Sequence, residues 1–157
     1  MRERGFTLLE MLVVVAIVGI AASMAWPSLT GVIRRQRLAM AMNTLSADLQ
    51  YTRMLAVRSG WGAVLRFQRD PACDVQGSRG VRGWVVVQRG PVERVMRTSP
   101  ARPEAYPHCV RSNGSDTVAF TSRGLLAPFG NRTVRAVDGQ FRDSLVVSSL
   151  GRIMPRY

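Results

Sequence analysis

Lysine is absent from this chain of 157 residues, and acidic residues are scarce. All 22 basic positions are arginine, against 10 acidic positions, so the formal net charge is +12. Arginine stays charged at physiological pH, and its planar fork of donors suits phosphate and carboxylate. The surface is therefore expected to attract nucleic acid, acidic lipid or acidic protein. Hydrophobic residues make up 46% of the chain, a fraction that excludes extensive disorder.

Histidine and cysteine are also rare, which leaves little material for metal binding or catalysis. His108 is the one histidine, and its spacing from Cys73, Asp74 and Cys109 matches no zinc pattern. No pair of carboxylates suggests acid–base catalysis. We therefore expect no enzymatic activity, no metal and no cofactor. Two cysteines outside the apolar segment favour one disulfide, Cys73 to Cys109, if this part lies outside the cytoplasm; two free thiols are the alternative.

Charged residues are missing from Met11 to Trp26, which forms the one long apolar run of the chain. As a helix, residues 6–27 are long enough to cross the hydrocarbon core of a bilayer. Arg2 and Arg4 precede this run, so the positive-inside rule leaves the short N-terminus in the cytoplasm. We predict a single-pass membrane segment with residues 28–157 on the far side.

Glu10 interrupts the start of this apolar segment, where a carboxylate is costly. Cleavage after Gly5 would place the new α-amine of Phe6 at the same end of the helix. The Glu10 carboxylate of one helix could then neutralise the amine of a neighbouring helix, a pair that fixes axial register more than it adds stability. The alternative is a helix-end glutamate that reaches the membrane interface.

The segment Arg4-Gly5-Phe6-Thr7-Leu8-Leu9-Glu10 and the run after it resemble the prepilin signal of type IV pilins and type II secretion pseudopilins. The resemblance implies that a prepilin peptidase cuts between Gly5 and Phe6 and that Phe6 is N-methylated. It implies a leader peptide at 1–5, a transmembrane and polymerisation helix at 6–27, and a periplasmic or extracellular pilin domain at 28–157. Pro27 closes the run, where such pilins often carry a helix-breaking proline. The precursor would lie in the inner membrane, and the assembled subunit in a pilus, the periplasm or the cell surface.

After Pro27 the pattern becomes amphipathic and predicts a second helical half from Ser28 to Arg58, ended by Ser59-Gly60. Its apolar stripe comprises Leu38, Met42, Leu45, Leu49, Thr52 and Ala56. Asp48 and the arginines of the segment are expected on the other sides.

Shorter periodicity from Trp61 onward predicts an antiparallel β-sheet packed on this stripe, an α+β fold. The predicted strands are Ala63–Phe67, Gly83–Gln88, Glu93–Arg97, Thr117–Thr121, Thr133–Val137 and Ser144–Ser149. The Pro-rich stretch Thr98–Val110 is predicted to be a long loop tied back to Cys73.

The C-terminal half resembles the GspH/FimT group of minor pilins and pseudopilins, which have a helix and two small sheets. In DNA-uptake members of the FimT type, a Gly-Arg-x-Arg motif near the C-terminus contacts DNA. Gly151 and Arg152 match the motif, Met154 replaces its second arginine, and Arg156 follows two residues later.

Five arginines crowd the last quarter of the chain, and we treat them as a candidate surface for double-stranded DNA. They are Arg132, Arg135, Arg142, Arg152 and Arg156. The alternative is a generally basic, solvated surface. The favoured function is a minor pilin of a type IV pilus that assembles with other pilin subunits, with DNA capture as an added hypothesis. The alternatives are a GspH-type pseudopilin of a type II secretion system and a membrane-anchored DNA receptor outside any fibre.

Overall fold

The computed structural model describes residues 7–73, 80–99, 109–138 and 140–156. The chain divides into two compact units, Met1–Arg35 and Gln36–Tyr157. The domain boundary predicted after Pro27 stays a prediction.

Helix α1 extends over Leu8–Ser59. Its N-terminus is capped by Thr7, whose Oγ1 accepts a hydrogen bond from the backbone N–H of Glu10 at 3.2 Å. It ends just before Gly60, whose φ of 72° is the left-handed conformation common after helices. Pro27 does not end the helix. A proline removes one backbone hydrogen bond, but the helical conformation continues on both sides of Pro27.

The first unit contains large apolar side chains that are exposed in the single chain, among them Leu8, Leu12, Val15, Ile17 and Ile20. No helix within the described ranges has the combined length and hydropathy of a membrane span. Membrane insertion of residues 6–27 stays a prediction.

The second unit carries an antiparallel sheet of nine strands after the amphipathic half of α1. The strands are β1 (Ala63–Arg69), β2 (Val81–Gln88), β3 (Arg94–Ser99), β4 (Cys109–Ser112), β5 (Thr117–Phe120), β6 (Leu126–Ala127), β7 (Arg132–Asp138), β8 (Phe141–Val147) and β9 (Ile153–Arg156). A short 3₁₀ turn, Pro71–Cys73, follows β1.

The strand order is β6-β5-β1-β2-β4-β7-β8-β9, with β3 paired to β2 beside β4. Strands β2 and β4 meet through one pair of residues, Val81 and Val110. The two small sheets that the resemblance implied are therefore two halves of one sheet, joined at this narrow contact.

The predicted helix stripe is confirmed, since all six of its residues are buried. Leu45 and Leu49 belong to the same hydrophobic cluster as Trp84, Phe120 and Leu145 of the sheet. All buried apolar residues of the core lie between Leu38 and Val147. The second unit therefore contains the whole described core.

Five strands lie where the sequence predicts them, and the predicted Ser144–Ser149 overlaps β8, which begins three residues earlier and ends at Val147; β4, β6 and β9 were not predicted. The Thr98–Val110 loop prediction is wrong at both ends, because Thr98 and Ser99 complete β3 and Cys109 and Val110 begin β4. The prolines before Cys109 led to a loop prediction for this segment. The short strand shows the alternation of a strand, since Val110 is buried between less buried neighbours. Residues 100–108 of the predicted loop, which include His108, lie outside the described ranges.

Cys73 and Cys109 form the predicted disulfide, with their Cα atoms 5.5 Å apart and 36 positions apart in the sequence. It ties the 3₁₀ turn after β1 to the start of β4. The bond therefore crosses the same narrow junction as the Val81–Val110 pair, which holds the two halves of the sheet together.

Candidate functional site

Glu10 lies in the first turn of α1, and it is the one charged residue between Thr7 and Ile33. Its side chain is exposed in the single chain. A carboxylate in this position is stabilised by the positive end of the helix dipole. Gly5 and Phe6, the predicted processing residues, lie outside the described residues. Processing and the assembly role of Glu10 and Pro27 stay predictions.

Asp48 was expected on the polar side of α1, and that expectation is wrong, because its side chain is 1% exposed. Its Oδ2 accepts a hydrogen bond from the indole N–H of Trp84 at 2.8 Å, and its Oδ1 accepts one from Arg97 Nη1 at 2.7 Å. The hydrogen bond and charge of Asp48 raise the pKa of Arg97. The Arg97 guanidinium also lies 4.9 Å from the centre of the Tyr51 ring. This network joins the helix to β2 and β3.

Two of the predicted DNA-binding arginines, Arg135 and Arg142, line one groove of about 470 Å³ together with Arg111. Arg111 on β4 lies directly opposite Arg135 on β7. Strand alternation places these arginines on the face away from the buried Val110, Val134 and Leu145. We call this surface the outer arginine groove.

Acidic residues of the same strands fall on the other face of the sheet. Asp143 lies opposite the buried Ala136, and Asp138 follows Ala136 by two positions. The lining of the outer arginine groove among the described residues includes no carboxylate. Like charges directly opposite each other on neighbouring strands repel. An anion bound in the groove would relieve this repulsion between Arg111 and Arg135.

Arg132 and Arg152 are not among the residues that line this groove. Arg132, the first residue of β7, donates from Nη2 to Ser115 Oγ at 3.1 Å. The backbone of Arg156 pairs with Ser144 on β8, in the same cross-strand row as Arg111 and Arg135. Arg152 lies on a separate surface beside α1. The predicted patch of five arginines is therefore divided among at least two surfaces.

Arg152 lines a second groove, of about 590 Å³, which we call the helix groove. Its other walls include Arg53, Met54, Val57 and Arg58 of α1, and Ile153 of β9. Gly151 has a φ of 74°, and a Cβ there would collide with the carbonyl oxygen of Gly124. Gly151 is thus required for the close approach of two loops. Arg152 is the residue directly after this turn, so the turn sets its position.

The residues missed by sequence reasoning are Arg53, Arg58, Arg111 and the buried Asp48. Arg111 was missed because no strand was predicted there: Cys109 and Val110 were assigned to a loop that ended just before it. Arg53 and Arg58 are near in sequence to the helix end but far from Arg152, so only the fold brings them together. Among the described residues, no group of three His, Cys, Asp or Glu side chains gathers where a metal ion could bind.

Comparison with known proteins places this architecture in a family. A prokaryotic N-terminal methylation motif matches residues 1–26. The family model described as type II transport protein GspH matches residues 41–151, which include the whole of the sheet up to β8. The chain belongs to the GspH family. It is a pilin-like subunit of the minor pilin and pseudopilin class, as the sequence indicated.

Individual relatives show the same relationship over part of the chain or at low identity. The type II secretion system protein H of Xanthomonas campestris pv. campestris is 43% identical over 68 residues. That match covers 43% of this chain and 39% of the relative, so the chain spans about two fifths of the curated protein's length.

Two crystal structures of the type IV minor pilin FimU from Pseudomonas aeruginosa have similar folds. One has a TM-score of 0.58 at 21% identity and covers 76% of this chain and 93% of FimU. The other has a TM-score of 0.61 at 22% identity and covers 79% and 91%. They confirm the predicted α+β fold, a long N-terminal helix packed against an antiparallel sheet.

Proposed function

We propose that this GspH family member is cleaved between Gly5 and Phe6 by a prepilin peptidase, N-methylated at Phe6, and polymerised through the apolar half of α1 with other pilin subunits. The observation that carries the proposal is a row of exposed apolar side chains on α1 with Glu10 at its start. Exposed apolar surface of this extent is typical of membrane or protein contacts. The inner membrane would cover it in the precursor, and neighbouring helices would cover it in the fibre.

Glu10 supplies the register of this assembly. Removal of the leader would create an α-amine at Phe6, four positions before Glu10 in the sequence. In a low-dielectric bundle an uncompensated carboxylate is expensive, so a helix is held where its Glu10 reaches a neighbour's amine. The backbone cap at Thr7 uses the N–H of Glu10 and is independent of the side chain.

Glu10→Gln and Glu10→Val test this role separately from helix capping. Both variants keep the hydrogen bond from the residue 10 N–H to Thr7 Oγ1. We expect normal membrane insertion and a strong loss of the subunit from sheared fibres in both cases, measured by quantitative immunoblotting. Glu10→Asp is the matched control and should retain part of the incorporation. Wild-type incorporation of Glu10→Gln would show that the charge has no part in assembly.

The outer arginine groove supports a role in binding double-stranded DNA, which favours the minor pilin of a type IV pilus. The supporting observation is three arginines in one groove that no described carboxylate lines. Contacts of this kind are made to phosphates and carry no base sequence information.

The salt dependence of DNA binding tests this role. If Arg111, Arg135 and Arg142 each neutralise one phosphate, their joint replacement by Gln should lower the slope of log K against log salt by about 2.7. From about 50 to about 200 mM salt, that slope corresponds to a roughly 40-fold loss of affinity. Arg89→Gln with Arg94→Gln is a control that removes exposed charge elsewhere. An unchanged slope in the triple variant would exclude this groove as the DNA site.

A pseudopilin of a type II secretion system is the second candidate function. The GspH family match and the Xanthomonas campestris relative favour it. Deletion of the gene in the native host separates the two candidates. A minor pilin is required for surface pili and DNA uptake, whereas a pseudopilin is required for release of folded exoproteins. Normal fibres with normal secretion, but lost DNA binding, would instead favour the membrane-anchored DNA receptor.

A further inference from the structure

The helix groove differs in chemistry from the outer arginine groove. Met54 and Val57 are 54% and 53% exposed, respectively, and with the half-buried Ile153 they give the helix groove an apolar floor. Exposed arginines rim this floor, Arg53 and Arg58 from α1 and Arg152 from the turn before β9. Methionine and arginine are both enriched in protein–protein interfaces.

Arg53 builds the wall of the groove. Its Nε donates to the carbonyl oxygen of Gly124 at 3.1 Å, and its Nη2 lies 3.5 Å from the carbonyl oxygen of Leu150. The turn before Arg152 is fixed further, since the N–H of Gly151 donates to the Ser148 carbonyl at 2.8 Å and the N–H of Arg152 donates to Ser148 Oγ at 3.1 Å. The backbone that presents Arg152 is therefore ordered before any partner arrives.

From this geometry we infer that the helix groove docks an acidic, amphipathic segment of a different protein. Its apolar side chains cover Met54 and Val57, and its carboxylates pair with Arg58 and Arg152. No acidic side chain of the described residues lines the groove, so these two cations have no neighbouring carboxylate there. Guanidinium groups beside an apolar floor bind carboxylates more strongly than fully solvated ones, since a docked segment excludes water from the pairs.

A nucleic acid suits this groove less well than a peptide. Arginine-rich sites for single-stranded nucleic acid combine the cations with aromatic side chains on which bases stack. The described lining of the helix groove contains no aromatic residue. Its floor is aliphatic, and phosphate contacts would leave that floor uncovered.

A second copy of this chain is a poor occupant as well. Only 10 of its residues are acidic against 22 arginines, and four of the acids, Asp48, Asp70, Glu93 and Asp116, form ion pairs with Arg97, Arg82, Arg66 and Arg69, respectively. Two copies with a net charge of +12 each also repel one another. The charge balance therefore favours a partner that carries an excess of acidic residues.

This inference is independent of the fibre proposal, because every residue of the helix groove belongs to the second unit. Site-specific photocrosslinking of the full chain in its native host tests it. A benzophenone amino acid replaces Gln50, an exposed residue at the groove, and mass spectrometry identifies the crosslinked peptide. The same experiment is repeated with Arg58→Glu and Arg152→Glu, and with the control pair Arg89→Glu and Arg94→Glu, which changes the net charge equally.

We expect a crosslink to a peptide of another protein that combines Asp or Glu with apolar residues. Charge reversal at Arg58 and Arg152 should lower its yield roughly tenfold or more, and the control pair should leave it unchanged. Arginine in place of the partner's acidic residues should restore the crosslink in the reversed variant. A crosslink to nucleic acid or to a second copy of this chain, no crosslink, or a yield insensitive to Arg58 and Arg152 would each overturn the inference. The Glu10 variants report on fibre assembly, so failure of one proposal is distinguishable from failure of the other.

Discussion

The contact between Asp48 and Arg97 predicts an unusual order of stability among three variants. Arg97→Met keeps most of the side-chain length but removes the cation that pairs with the Asp48 carboxylate, which is buried at 1% exposure and keeps the hydrogen bond from the Trp84 indole N–H. Removal of one partner of a buried ion pair costs about 3–5 kcal/mol. The Arg97 side chain is 51% exposed, so water can reach its place, and we expect a value at the lower end, about 3 kcal/mol.

Asp48→Asn should be milder, because an amide oxygen can still accept the Trp84 hydrogen bond and the freed Arg97 can be solvated. The expected loss is about 1–2 kcal/mol. The double variant Asp48→Asn with Arg97→Met carries no buried charge. It should therefore be more stable than Arg97→Met alone, with a coupling free energy of about 1–3 kcal/mol.

Urea denaturation of the full chain in detergent micelles, followed by circular dichroism, measures these differences without the screening that guanidinium salt would add. Arg94→Met, on the same strand and exposed, is the matched control and should change stability by less than about 0.5 kcal/mol. If the losses of the two single variants simply add in the double variant, Asp48 does not become an uncompensated charge and our reasoning is wrong.

Two further predictions concern the Cys73–Cys109 disulfide and the turn at Gly151. Replacing Cys73 and Cys109 together by serine should lower the free energy of unfolding by about 3–4 kcal/mol on the chain-entropy account, and an equal urea midpoint with and without the bond would contradict it. Gly151→Ala should destabilise by about 1–3 kcal/mol, since it combines a left-handed φ with a collision against Gly124, whereas Gly90→Ala should be nearly neutral because its Cβ would meet ordinary contacts. Equal effects of the two glycine variants would remove the role we give to the Gly-Arg turn.

The long helix and most of the strands could be predicted, because their residue patterns are clear within a short stretch of sequence. The spacing of Leu38, Met42, Leu45 and Leu49 marks one face of a helix, and Ser59-Gly60 marks its end. Strand β4 was not predicted, because the prolines before it favoured a loop. Strand β6 contains two residues, too few for alternation to be visible, and β9 contains Pro155, a residue that argues against a strand.

The interaction surfaces were harder to predict because they depend on strand order. Arg111 and Arg135 are far apart in the sequence, and their opposition follows from the pairing of β4 with β7. Arg53 and Arg152 are likewise brought together only by the fold, in which Arg53 contacts the carbonyl oxygens of Gly124 and Leu150. Asp48 was misplaced because a single carboxylate at the margin of a helix stripe is ordinarily solvated. Its burial depends on Trp84 and Arg97, whose positions the helix pattern does not encode.

The central claim is that the chain is processed at its N-terminus and polymerised through α1. Mass spectrometry of the N-terminal peptide, taken from the protein in sheared fibres of the native host, tests it most directly. We predict that the protein in the fibres begins with N-methylated Phe6. Protein that still begins at Met1, and that is absent from every fibre fraction, would contradict the account.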